Sequence, residues 1–127
     1  MTTVRTKTGI RGEDKACEYL VGLGHVILER NWRHSHQEVD IISLFGNELH
    51  VVGVKSKTAP VVADPVLSVG KAKQGFLVKA ANAYLHSKEK KQLPHNMEVF
   101  FDVVSVVFDG DKTIVRFYPQ AFIPTYA

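Results

Sequence analysis

The 127-residue chain contains a single cysteine, Cys17, and a single tryptophan, Trp32. One thiol excludes an internal disulfide and any thiolate-rich zinc site. Long apolar runs are missing as well, since none approaches the roughly 18 residues that a membrane span requires. The opening "MTTVRTKTGIRGEDK" has no apolar core of the kind a secretory signal carries, so the expected compartment is the cytoplasm. Internal repeats, low-complexity tracts and interdomain linkers are absent. Acid does not predominate either: 16 Lys and Arg against 13 Asp and Glu leave a net charge of +3 before six histidines are counted. That balance suits a polyanionic partner without demanding one. What is present is ordinary globular material, with 45% hydrophobic and 23% charged residues, and the length fits one domain around one core.

Periodicity supplies the elements. From Thr8, a candidate N-cap, to Gly24, a candidate C-terminal stop, Ala16, Cys17, Leu20 and Leu23 recur at helical spacing. Residues 25 to 30, 38 to 44 and 48 to 55 read as three strands, the last two flanking a short turn at Phe45, Gly46 and Asn47. Val69, Phe76, Ala80 and Tyr84 then mark a second helix within "SVGKAKQGFLVKAANAYLHSK". "MEVFFDVVSVVF" is too continuously apolar for a solvated face and reads as a central strand, turned at Asp109 and Gly110 into "KTIVRFY". The order is α-β-β-β-α-β-β. "KTAPVVADPVL", with Pro60 and Pro65, is the main irregular connection, and the aromatic tail "YPQAFIPTYA" is expected to pack onto the core.

A hairpin centred between Gly46 and Asn47 pairs residues whose numbers sum to 93, so Asp40 is expected to face Gly53 and Glu38 to face Lys55. Strand alternation puts these four positions on one face, with opposed Cβ atoms about 5 Å apart. Two carboxylates at that distance hold a divalent cation, and a nearby ammonium orients a water for attack on a phosphodiester. Only half of that pair is present, because Gly53 offers a metal nothing but its carbonyl. The competing reading is a Glu38–Lys55 ion pair beside a solvated Asp40. Glu13 bears on the choice: it stands at i−3, i−4 and i−7 from Ala16, Cys17 and Leu20, on the inward stripe, where a carboxylate must be paired, protonated or bound to a cation, unless it caps the exposed end of the stripe.

Taken together, "GIRGEDKACEYLVGLGHVILERNWR", "QEVDII", "VVGVKSK" and "FFDVVSV" resemble the YraN family, also called UPF0102, whose fold is similar to that of Holliday junction resolvases and other PD-(D/E)XK nucleases. The resemblance runs through most of the chain. It implies a restriction-endonuclease-like α/β domain with a mixed central sheet flanked by helices and nuclease-like machinery without naming a substrate; the function expected is binding of branched or structured nucleic acid, DNA above all, with Mg²⁺- or Mn²⁺-dependent endonuclease cleavage as the ancestral or residual activity. Glu13 then corresponds to the family's helix glutamate, Asp40 to its metal-binding aspartate and Lys55 to the lysine of its signature. Position 53 should be Glu and is Gly; Gln37 replaces a usual Gly and Phe100 a frequent Arg. A glycine is poor strand material, and a local rule broken without visible gain marks a functional site or a change in one. Two functions stay open: a nucleic-acid-binding protein whose cleavage is impaired at position 53, and a module that keeps the nuclease fold for structural or protein contacts.

Basic groups surround the expected site. Arg30, Arg33, His34 and His36 lie beside Trp32 in "ERNWRHSHQE", where guanidinium groups suit phosphates and an exposed indole suits a base. Anchoring of the segment by Trp32 is the favoured reading. Lys73 falls on the stripe of the second helix and is expected to point toward the site, whereas Lys88, Lys90 and Lys91 read as a solvated cluster. Asp102, isolated in an apolar strand, is expected to fix a nearby Arg or Lys.

Overall fold

The computed structural model describes residues 6–60, 70–87, 93 and 96–122. The chain runs α1 (Lys7–Leu23), β1 (Val26–His34), β2 (Gln37–Phe45), β3 (Glu48–Thr58), α2 (Lys71–Leu85), β4 (Glu98–Asp109) and β5 (Lys112–Phe122), the α/β order expected. The five strands form one mixed sheet in the order β1-β2-β3-β4-β5. Neighbours are antiparallel except β3 and β4, which pair in parallel from Glu48↔Glu98 to Thr58↔Phe108. A parallel pair cannot be joined by a tight turn, and α2 lies in that long connection.

Alternation along β3 separates two cores. Leu49 and Val51 face one side, where they meet Ala80, Ala81 and Tyr84 of α2 with Val39, Ile42 and Phe101. Val52 faces the other, where it meets Ala16 and Leu20 of α1 with Ile41, Val104, Val106 and Phe108. The two helices therefore cover opposite faces, as period-two side chains dictate. Along β2 the alternation slips between Val39 and Ile41, which belong to different cores. α1 presses closest at Gly12, where a Cβ would stand 1.7 Å from Ser56 Oγ and 2.7 Å from Ser56 Cβ.

Element ends depart from expectation for identifiable reasons. The N-cap of α1 is Thr6 rather than Thr8, because the Thr6 hydroxyl accepts the Gly9 N–H at 2.9 Å; Gly24 ends the helix in the left-handed region as expected. Leu23, in the last turn, is exposed, as is Phe76 on α2. α2 begins after Gly70, and Val69 lies outside the described residues together with Lys88, Lys90 and Lys91. The polar segment after residue 30 is strand rather than loop: Trp32, Arg33 and His34 pair with Val39, Glu38 and Gln37 across a turn at Ser35 and His36. β5 likewise continues to Phe122, whose ring stacks on Phe101 at 4.7 Å, so the described part of the aromatic tail packs on the core. The β2–β3 hairpin has the register expected, from Phe45↔Glu48 to Ile41↔Val52, turned at Gly46 with φ 59°. Among the described residues no helix is long and apolar enough to cross a membrane.

Candidate functional site

The β2–β3 ladder ends at Ile41↔Val52, although both strands continue. Asp40 and Gly53 are therefore not a ladder pair, nor are Glu38 and Lys55, which corrects the facing arrangement expected from the turn. Instead the Asp40 carboxylate enters the opening and its Oδ2 accepts the Val54 N–H at 2.7 Å. Side chain replaces backbone as the partner of β3 just where the strands part, and this satisfies a donor that the missing ladder would otherwise strand. A cavity of about 360 Å³ lies at this point, between the sheet and the first half of α2. Its mouth includes Glu38, Asp40, Lys55 and Lys73; Gly53 contributes wall, and Val39, Val51, Leu77, Phe101 and Phe122 give it apolar surface.

The structure thus gathers Asp40, Gly53, Lys55 and Lys73 around one space. Arg33 is one step removed: its Nε donates to Glu38 at 3.3 Å. Glu13 and Arg30 form a separate group. Glu13 is buried, as its place on the α1 stripe required, and lies 3.7 Å from Arg30 Nη2, which also donates to Asp14 at 2.8 Å. Neither Glu13 nor Arg30 lines the cavity.

The donors at the cavity do not fit a protein-held Mg²⁺ or Mn²⁺. Such ions need several oxygen ligands. Asp40 has one oxygen occupied by a backbone N–H, Glu38 is engaged by Arg33, and position 53 has no side chain. Among the described residues no three His, Cys, Asp or Glu side chains are grouped to hold a metal. Room for a further ligand exists, because a Cβ built on Gly53 would meet nothing nearer than the Asp102 carbonyl at 4.0 Å.

Trp32 is half-buried, edge-on to Tyr84 at 5.2 Å and stacked with His34 at 6.1 Å, an anchor in the α2-side core. Asp102 fixes a histidine rather than an Arg or Lys. On the α1 face, near the β2–β3 turn, the His50 ring places Nδ1 against Asp102 Oδ2 and Nε2 2.8 Å from Glu48 Oε1. Both nitrogens face carboxylates, so both donate when the ring is an imidazolium. Burial opposes that charge, but the hydrogen bonds and negative charges of Asp102 and Glu48 prevail, and the His50 pKa lies above its ordinary value. His25, edge-on to His50 at 4.7 Å with Nδ1 2.9 Å from Ser43 Oγ, is pushed the other way by burial and by the neighbouring His50 charge. The remaining Asp102 oxygen accepts the Gln120 N–H at 2.9 Å, at the bulge where the β4–β5 register shifts. This cluster was missed in the sequence; its one visible signal was polar residues on apolar strands.

A model of the uncharacterised protein family UPF0102 matches residues 12–106. Relatives described as UPF0102 proteins include one from Flavobacterium johnsoniae, 36% identical over 114 residues that cover 90% of this chain and 92% of the relative. Another, from Chlorobium limicola, is 38% identical over 120 residues, 93% of this chain and 90% of the relative. A third, from Bacteroides thetaiotaomicron, is 34% identical over 116 residues, 91% and 92% of the two chains.

Proposed function

The chain belongs to the UPF0102 family, and from that premise we propose that it is a nucleic-acid-binding protein of nuclease-like fold, with the Asp40 cavity as its phosphate-binding centre. One observation carries the reading. Where β2 and β3 part, Asp40, Gly53, Lys55 and Lys73 meet at a single cavity, a juxtaposition that supports a phosphate-binding reading. Lys55 and Lys73, both exposed, supply cationic groups for a phosphate beside the Glu38 and Asp40 carboxylates, and Arg33 lies alongside on β1, held by Glu38. Branched or structured DNA is the expected partner, because a phosphate at the mouth of a recess is reached most readily on a strand free to bend.

Within this reading Gly53 favours nucleic-acid binding with impaired cleavage. With no carboxylate at position 53 a cation finds too few oxygen ligands, so hydrolysis is weak or lost. Fluorescence anisotropy with a labelled four-way junction tests the proposal. Binding should weaken steeply with salt, and Lys55→Glu with Lys73→Glu should lower affinity about tenfold or more while reducing the log–log salt slope by about two. No binding at low salt, or an unchanged slope in the double variant, overturns it.

A further inference from the structure

We propose that the space at Gly53 is a pocket for one unstacked nucleobase, so that the cavity takes an extrahelical nucleotide with its base inward and its phosphate at the rim lysines. This rests on the nucleic-acid reading above and names the substrate feature that the same site selects.

Gly53 has no local justification. Its backbone is outside the left-handed region that favours glycine, and a Cβ there meets no atom closer than 4.0 Å, so neither conformation nor packing excludes a side chain. Its consequence is open volume in a wall of the cavity. At about 360 Å³ the cavity lies in the lower part of the range that encloses small organic ligands.

The lining sorts the ligand chemistry. A lone phosphate would use the mouth, at Lys55 and Lys73, and leave the interior to water. That interior is apolar, with Leu77 from α2, Val51 from β3 and the stacked rings of Phe101 and Phe122. A purely apolar ligand would fill it and leave both ammonium groups unused. A nucleotide joins a flat π-faced ring to an anion across one sugar, and so matches both halves. Protein sites that receive single bases use this combination of aromatic or apolar walls and cationic rim.

Energetics then select the substrate. Drawing a base out of a paired stack costs a few kcal/mol, whereas a bulged or junction base is already free. The pocket therefore turns an unselective phosphate surface into one that prefers extrahelical bases. The missing acid and the preference for irregular DNA become one feature: cavity wall withdrawn from metal chemistry and given to a base.

Anisotropy titrations with the full chain and three otherwise identical duplexes test this: fully paired, carrying one bulged adenine, and carrying one bulged abasic residue. The bulged adenine should bind about tenfold tighter than the other two. Gly53→Leu, which fills the cavity from β3, should abolish that preference, and so should Leu77→Phe, which fills it from α2 and serves if the first variant folds poorly. Equal affinity for all three duplexes overturns the pocket and leaves the phosphate surface standing. The same gain for the abasic bulge overturns it too, since backbone flexibility would then suffice. Survival of the adenine preference in a folded cavity-filling variant overturns it directly. Failure of all three to bind at low salt removes the nucleic-acid reading itself, and the pocket with it.

Discussion

Asp102→Asn tests the buried histidine cluster through its charge. The amide keeps the shape of the carboxylate and an oxygen for the Gln120 N–H, which Asp102 holds at 2.9 Å. What it removes is the negative charge beside His50 Nδ1, in a place where Asp102 and His50 are 3% and 6% exposed. Breaking a buried ion pair from one side costs about 3–5 kcal/mol, but His50 keeps Glu48 at 2.8 Å, so a loss of about 2–3 kcal/mol is expected, near the value of a charged hydrogen bond. For a chain of this size that is a fall in Tm of roughly 10 °C. The sign of the pH dependence is specific. The folded His50 pKa is raised, so its contribution is fully present below the unfolded value of about 6.5 and is lost as pH rises through the folded value. His25, lowered chiefly by burial, acts oppositely, costing stability as pH falls; the Asp102 charge partly offsets that lowering, so its loss deepens the low-pH deficit in the same direction as the loss at His50. Urea unfolding followed by circular dichroism should therefore show the full deficit of the variant at about pH 5.5 and a much smaller one at about pH 9. An equal deficit at both values would show that the cluster acts by shape alone and that His50 is not held as a cation.

Two further substitutions probe the helix contact and the open position. Gly12→Ala sets a Cβ 2.7 Å from Ser56 Cβ and 1.7 Å from its Oγ, so thermal denaturation should show a loss of about 1–3 kcal/mol; Ser56→Gly in the same chain should restore most of it, and no restoration would place the strain elsewhere. Gly53→Glu sets a Cβ no nearer than 4.0 Å to the Asp102 carbonyl, in the cavity wall, and adds a second carboxylate beside the cavity that Asp40 lines, so calorimetry should find Mn²⁺ bound about tenfold or more tighter than in Gly53→Gln, the neutral control of equal size. Equal affinity in the two would show that position 53 does not converge with Asp40 on one ion.

Much of the architecture is legible in local pattern. The α1 stripe placed Ala16 and Leu20 in the core and turned Glu13 inward, because helical spacing alone decides which residues share a face. The short turn at Gly46 determined the register of β2 against β3 as far as Ile41↔Val52, since a tight turn leaves antiparallel strands one pairing. Gly53, which breaks its strand's pattern, lies in the wall of the cavity. The limits of the elements were less legible: Trp32, Arg33 and His34 lack strand-like alternation, and only their neighbour β2 makes them a strand. Tertiary structure alone decided where β2 and β3 part, so that Asp40 takes the Val54 N–H instead of facing Gly53 and the space between becomes a cavity. It alone joined His50 to Asp102, 52 residues apart. A parallel pair takes its register from the packing of the crossover between its strands, which no local sequence window contains, whereas a hairpin carries its register in its own turn.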